Sequence, residues 1–539
     1  MFTLKRRAFI STVCVTAAIL LAGAPALASP PAAAPPRGKR PLNIGQFSGA
    51  IASMCNARAA ELDAKLIYAT IPTIQAQFNQ KTLTSLELTT YYLRRIQKYD
   101  VDALNSVIEL NPDALVIAKR LDDERAAGTV RGPLHGTVAL LKDNIATGDQ
   151  MHTTGGARAL QNAQADRDAF VVKKLRDAGV VILGKAALSE FAHWVDDSMP
   201  SGYSTVGGQP VSPYGKQIDP WGSSTGPAIA VVSNFATFGL GTETWGSVIA
   251  PAMFGSAVAL KPSIGLVSRD RVIPILDSQD SVGPFTRNVI DLALVMDALV
   301  GTDLNDPVTA AALNRRAPFE NGLNLDSLKG MRVGVVPVFD DADGPAQSHM
   351  IDVLRVAGAE VVFLPQQPDP FFDLYGDDFL ALGRYGFKAG IARYLAATHG
   401  PVRTAAEIAA FNLEDPADRI RYGQRQLVAS AESTMTPAEY AQRSLAVGDR
   451  ARAGLNKLMT DNRLDLMAGT GIGVFTNYGY PPAGYPALAI PAGYRPSGDP
   501  IGFALVGNLF DDWKLVRAAY TLELISKMWR APALLAVSC

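Results

Sequence analysis

The sequence predicts an α/β fold, and three observations carry the prediction. Short apolar runs of strand length alternate with segments whose apolar residues recur at helical spacing. The strand-like runs, such as Val180-Val181-Ile182-Leu183-Gly184, are continuously apolar, as strands buried on both faces are. Hydrophobic residues make up 48% and charged residues 19% of the 539 positions, the balance of a soluble globular chain rather than a disordered or coiled-coil one.

The elements follow in order. Over residues 61–98 the apolar positions keep helical spacing, and Thr84-Ser85-Leu86-Glu87 supplies a start signal, a hydroxyl able to satisfy the free N–H groups of a first turn. A second helix is predicted over 113–127. After the turn Arg131-Gly132-Pro133-Leu134-His135-Gly136, residues 137–141 read as a buried strand that ends at Lys142-Asp143-Asn144. The lysine therefore stands at a strand end, where side chains project into a crevice. A helix over 165–178, stopped by Gly179, and a strand over 180–184 continue the alternation.

Residues 219–263 are the centre of the chain. Two small, flexible clusters, Gly222-Ser223-Ser224-Thr225-Gly226 and Gly241-Thr242-Glu243-Thr244-Trp245-Gly246-Ser247, flank an apolar run that fits a helix followed by a buried strand. Each cluster puts hydroxyls on a loop held by a rigid element, a common setting for catalysis, although most Gly-Ser loops are only turns. Beyond them, strands are predicted over 331–337 and 360–364 around a helix. Residues 370–459 are largely helical and carry Phe371, Phe372, Tyr375, Tyr385, Phe387 and Tyr394, either as core or as the wall of a pocket. Strands over 486–491 and 501–506 and a helix over 512–527 close the chain.

The N-terminus departs from globular patterning. Lys5-Arg6-Arg7 precedes an apolar run over 8–23, and Ala26-Leu27-Ala28 offers small residues for cleavage before Ser29, so residues 1–28 read as a signal peptide and 29–44 as a Pro/Ala-rich linker. Arg6-Arg7 fits twin-arginine export, with a periplasmic or secreted destination. An uncleaved anchor is the competing reading; after cleavage, no membrane association is expected. Residues 45–539 form the remaining body. A net charge of -1 argues against nucleic acid as a partner. Cys14 falls in the signal, which leaves Cys55 and Cys539 for one disulfide or two free thiols. No metal-ligand spacing such as Cys-x-x-Cys or His-Glu-x-x-His occurs, so no metal is expected.

Three chemistries compete for the serines. Gly222 to Gly226 satisfies Gly-x-Ser-x-Gly, which would make Ser224 the nucleophile of an α/β-hydrolase with His349 or His399 as base, but no His-Gly-Gly-Gly oxyanion motif precedes it. A Ser-x-x-Lys site is excluded because no lysine has a serine three positions before it. There remains a serine whose proton reaches a lysine distant in sequence, with a second hydroxyl as relay.

The residues then resemble a known family, the amidase signature enzymes, with the peptide amidase branch nearest in pattern. The resemblance covers nearly all of the mature chain: Gly132-Pro133-Leu134-His135-Gly136, Leu141-Lys142-Asp143-Asn144, the Gly222 to Gly226 loop, Gly241-Thr242-Glu243-Thr244 with Gly246-Ser247, residues 260–268, Asp277-Ser278-Gln279-Asp280, Gly283-Pro284 and Ala483-Gly484-Tyr485-Pro486-Ala487. It implies a single large domain, residues 45–539, with a central mixed, twisted sheet covered by helices on both faces. It implies an amide-cleaving serine hydrolase that needs no cofactor, with Ser247 as nucleophile, Ser223 as bridging serine in a cis peptide, and Lys142 as base. The two serines lie 24 residues apart, as in the family pattern. Backbone N–H groups of Thr244, Trp245, Gly246 and Ser247 would form the oxyanion hole, donors worth about 3 to 4 kcal/mol each.

The chain also departs from the pattern. Thr225 stands where glycine is commonest, with Pro227 after Gly226. Trp245 replaces a small residue beside the oxyanion loop, where it either narrows the site or simply packs. Glu243 replaces the usual aspartate and Ile249 a common arginine, which reads as an ion pair exchanged for apolar packing. A catalytically dead binding protein that kept the fold is the alternative these departures leave open.

Overall fold

The structure, a computed structural model, describes residues 39–313, 318–338, 340–365, 370–471 and 479–534, without the side chains of 311–312 and 370–377. The expected signal peptide, most of the expected linker, Cys14, Cys539 and the side chains of Phe371, Phe372 and Tyr375 lie outside the described residues.

The helical stretch predicted over 61–98 resolves into separate helices, because Thr70 caps one N-terminus and Thr84 the next. The last of them is α1 (Ser85–Tyr99), where the Thr84 side chain accepts the Glu87 N–H. Strand β1 (Val107–Leu110) and α2 (Ala114–Ala126) follow, then β2 (Val138–Lys142). Helix α3 (Phe170–Asp177) starts five residues later than its spacing predicts. The intervening Asp166, Arg167 and Asp168 are drawn into ion pairs with Arg271, Asp270 and Arg176. Next come β3 (Val181–Ala186), α4 (Thr225–Val232), β4 (Phe238–Glu243), α5 (Ile249–Gly255), β5 (Val258–Lys261), β6 (Ser281–Thr286) and α6 (Val289–Leu299). The remainder includes β7 (Arg332–Val335), α7 (Gly344–Val356), β8 (Glu360–Phe363), the long α8 (Pro370–Leu395), α9 (Arg425–Ala431), α10 (Pro437–Asp461), β9 (Leu466–Thr470), the short α11 (Tyr480–Ala483), β10 (Ala487–Tyr494), β11 (Pro500–Val506) and α12 (Asp512–Ser526).

Among the described residues eleven strands join one mixed sheet in the order β1-β3-β2-β4-β6-β5-β10-β11-β9-β7-β8, and residues 164–165 and 398–399 pair as a separate two-stranded sheet. The β2 strand pairs in parallel with both β3 and β4, whereas β4 to β9 run through antiparallel pairs. Helices cover both faces, as the α/β reading and the resemblance imply. On one face α3, α6, α7 and α12 pack with the helical segment, burying Leu175, Leu292, Leu354 and Leu515. On the other, α1 and α2 bury Leu93 and Leu121, while α4 and α5 bury Val231 and Met253. Of the aromatics in the helical segment, Phe387 and Tyr394 are core residues, and Tyr385 sits 4.9 Å from Tyr440, ring to ring.

No helix among the described residues is long and apolar enough to cross a membrane. The body begins at once: Lys39 bonds to Asn105, and Arg40 reaches Glu109. Cys55 is exposed.

Candidate active site

The site forms at the carboxyl end of β2, where the parallel neighbours β3 and β4 also end. Lys142 is the last residue of β2 and is fully buried. Because Leu141 pairs with Leu240, the lysine emerges beside the end of β4 and meets Thr242. The first serine loop closes over it from the N-terminus of α4, and the Gly222–Ser223 peptide is cis.

Four contacts hold the amine. Lys142 Nζ lies 2.7 Å from Ser223 Oγ, 2.9 Å from Thr242 Oγ1, 3.0 Å from Ser224 Oγ and 3.2 Å from the Thr242 carbonyl. Two of these hydroxyls are committed elsewhere. Ser224 donates to the Thr242 carbonyl at 3.0 Å and accepts the Thr242 N–H at 3.1 Å, and Thr242 Oγ1 accepts from Asn144 Nδ2 at 2.9 Å. Ser223, the closest, is the hydroxyl placed to exchange a proton with the amine. Burial lowers the Lys142 pKa from 10.5 to about 7, against the opposing charges of Asp280 and Glu243. A substantial neutral fraction with a free lone pair therefore exists near neutral pH, as a base requires.

The second loop runs from β4 into α5. Ser247 is half-buried, and its carbonyl accepts the Ser224 N–H at 3.2 Å, which ties the two serine loops together. Its Oγ makes no hydrogen bond among the described residues. Gly246 adopts φ +77°, the left-handed region that glycine enters without steric cost. The N–H groups of Gly246 and Ser247 meet no acceptor among the described residues. Thr244, the first of the four expected oxyanion residues, is fixed through its side chain, which donates to Asp280 at 2.5 Å. Asp280 in turn accepts the N–H groups of Ile275 and Leu276 at 2.8 and 3.0 Å. Burial raises its carboxyl to about 6.

Trp245 packs. Its half-buried ring meets Phe379 of α8 edge to face at 5.0 Å between centroids, and Phe379 meets Trp194 in the same way at 5.7 Å. The reading of Glu243 and Ile249 needs correction. Ile249 is indeed buried in apolar packing, but Glu243 keeps polar partners: Oε2 accepts the N–H groups of Val248 and Ile249 at 2.8 and 3.0 Å, and Oε1 accepts the Tyr480 hydroxyl at 2.5 Å. The partner of Oε1 in this chain is thus a phenol. Pro227 occupies the first turn of α4, where proline's missing N–H removes no helical bond.

The rival nucleophile fails on geometry. Ser224 has no accessible surface, its proton is held by Thr242, and His349 and His399 are exposed on outlying elements. Thr242, Asn144 and Asp280 lie inside motifs that carry the resemblance but received no role from them, and Tyr480 lies in none of those motifs. A cavity of about 400 Å³, lined by Asn144, Thr242, Thr244 and Asp280 together with Gly390 and Tyr394 of α8, meets the lysine cluster at Asn144 and Thr242 and does not include Lys142, Ser223 or Ser247 in its lining. The helical segment thus contributes Gly390 and Tyr394 to the wall of that cavity. Among the described residues no cluster of His, Cys, Asp and Glu forms a metal site.

The chain resembles known proteins over most of its length. The family model described as Amidase matches residues 87–469. A probable amidase of Arabidopsis thaliana is 38% identical over 478 residues, covering 87% of this chain and 92% of the relative. The solved structure of an amidase family protein from Bacillus anthracis str. Ames superposes with a TM-score of 0.85 at 34% identity, covering 92% of this chain and all of its own. The X-ray structure of native peptide amidase from Stenotrophomonas maltophilia superposes with a TM-score of 0.81 at 35% identity, covering 87% of this chain and 99% of its own.

Proposed function

The chain belongs to the amidase signature family and hydrolyses amides at the C–N bond, and from that premise we propose that Ser247 is its nucleophile, Ser223 its proton bridge and Lys142 its base. The observation that carries the assignment is the 2.7 Å approach of Lys142 Nζ to Ser223 Oγ in a fully buried site. Neutral Lys142 takes the Ser223 proton as Ser223 takes that of Ser247, and Ser247 Oγ attacks the amide carbonyl carbon. The oxyanion that forms is received by N–H groups of the 244–247 loop, donors fixed before the reaction begins. Lys142 then returns the proton through Ser223 to the leaving nitrogen, the C–N bond breaks, and ammonia or an amine departs. Water cleaves the acyl-enzyme through the same relay and releases the acid.

The likeness to peptide amidase supports a terminal carboxamide as the first substrate to test. The basic, apolar and small-residue succession over residues 5–28 supports export to the periplasm or beyond, which a mature N-terminus at Ser29 in fractionated cells would establish. Labelling with a fluorophosphonate followed by peptide mapping tests the catalytic assignment. The expected result is one adduct, on Ser247, that disappears in Lys142→Ala. An adduct on Ser224 would overturn it, as would an undiminished adduct in the lysine variant.

A further inference from the structure

We propose that Tyr480 is a positioning residue for the nucleophile: its hydroxyl holds Glu243, and Glu243 holds the backbone that follows Ser247. The inference rests on the assignment of Ser247 as nucleophile.

The loop that carries Ser247 is short and is fixed at both ends. It leaves β4 at Glu243 and enters α5 at Ile249, so its course depends on how those ends are tied. Glu243 ties them to each other. Its carboxylate sits at the end of the strand, is only 1% exposed, and accepts the first N–H groups of the helix, those of Val248 and Ile249. Such charge-assisted bonds are about twice as strong as neutral ones. Val248 is covalently next to Ser247, so the position of the carboxylate sets that of the nucleophile.

A buried carboxylate needs its remaining oxygen satisfied, and Glu243 makes no salt bridge among the described residues. Tyr480 satisfies it. The phenol is fully buried and donates to Oε1 at 2.5 Å. It stands on α11, 237 residues further along the chain. That turn is anchored in its own right: the carbonyl of Gly484 accepts the Ile264 N–H at 3.0 Å, and the carbonyl of Tyr485 accepts Lys261 Nζ at 2.8 Å. The end of β5 therefore fixes the turn, the turn fixes Glu243 through one hydroxyl, and Glu243 fixes the loop. Without that hydroxyl, Oε1 would be a buried acceptor with no proton, and the carboxylate would have reason to rotate toward another donor.

The test compares Tyr480→Phe, Glu243→Gln and the double variant, with active sites counted by fluorophosphonate labelling and kcat expressed per labelled site. Both single variants should lose about ten- to a hundredfold in kcat, the scale on which sub-ångström to ångström misplacement acts. KM for a terminal carboxamide should stay nearly constant, since neither residue is placed on substrate. The double variant should be no slower than the slower single variant, as expected of two residues in one chain of contacts. A structural role alone would lower the labelled fraction or the melting temperature and leave kcat per labelled site intact. Wild-type kcat per labelled site in Tyr480→Phe would overturn the proposal, as would additive losses in the double variant. Should Tyr480→Phe fail to fold, Glu243→Gln decides alone, because the amide keeps one oxygen for the helix N–H groups and removes the phenol's acceptor. Absence of any adduct on Ser247 in the wild type would instead refute the nucleophile assignment beneath it.

Discussion

The proposed role of Lys142 as base makes a definite prediction for the pH dependence of turnover. In the folded enzyme burial brings this amine from 10.5 to about 7, a change of about 5 kcal/mol in the balance between ammonium and amine at 1.36 kcal/mol per pH unit. The base acts only when neutral. With chemistry rate-limiting, kcat/KM should therefore rise tenfold per pH unit below the pKa, level off above it, and stand roughly a hundredfold below its plateau at pH 5. An unburied lysine would keep the rate climbing past pH 9. The assay is initial-rate hydrolysis of a terminal carboxamide from pH 5 to 10, with a slower substrate of the same series to verify that chemistry limits the rate. A flat profile across that range would refute a lysine base, and so would full activity in Lys142→Ala. The same amine affects stability with a definite sign. Its folded pKa lies below its unfolded one, so between about pH 7 and 10.5 the unfolded chain holds a proton that the folded chain has released. Its contribution therefore becomes less unfavourable as pH rises through that window.

Other perturbations separate the neighbouring groups. Ser224→Ala should remove one partner of Lys142 and lower the rate while keeping the Ser247 adduct; complete loss with the adduct missing would favour Ser224 as nucleophile. Glu190 is buried and raised to about 7 by that burial, so its stabilising effect holds below its ordinary pKa of 4.5 and is lost as pH rises through 7. Glu190→Gln should therefore melt at a temperature near that of the wild type at pH 4 and above it at pH 8.5, and equal differences at both values would refute this. Asp280→Asn removes a charge that raises the Lys142 pKa, so the acid limb of the rate profile should move to lower pH; movement to higher pH would contradict the arrangement of charges. Leu240→Ala deletes a fully buried side chain of β4 and should cost about 2 to 5 kcal/mol in denaturant unfolding.

What could be read from the sequence depended on how local the signal was. Lys142 was legible because an apolar run of strand length ends in a charged residue, and the serine clusters because glycine and hydroxyl residues stand beside a buried run. Strands β1, β5, β6 and β9 were not. The β6 sequence Ser-Val-Gly-Pro-Phe-Thr contains the two residues that normally punctuate turns, yet Pro284 pairs opposite Leu240, and a Cβ on Gly283 would fall 2.1 Å from the Leu260 carbonyl. Here the glycine admits a neighbouring backbone and marks no turn. The roles of Thr242, Asn144 and Tyr480 were not legible for another reason. Their roles come from the register of β2 on β4 and from a turn near the C-terminus, and neither leaves a mark on the surrounding residues. Helix α3 shows the opposite failure: its helical spacing was present, but ion pairs made by Asp166 and Arg167 took the first residues out of the helix.

The arrangement of charge around the lysine follows from two demands that conflict. A neutral amine is favoured by a dry site without carboxylates, but the four-residue loop 244–247, which in the proposed mechanism holds the oxyanion donors, needs strong anchors at both ends. Asp280 anchors Thr244 at one end and Glu243 anchors Val248 and Ile249 at the other, and both oppose the neutral form of Lys142. Burial wins, because it is the largest influence on the lysine and brings it to about 7 even with both carboxylates present. The phenol on Glu243 fits the same balance. An arginine in its place would add a positive charge and lower the lysine further, at the cost of burying another ion, whereas a neutral hydroxyl satisfies the carboxylate and leaves the charge near Lys142 unchanged.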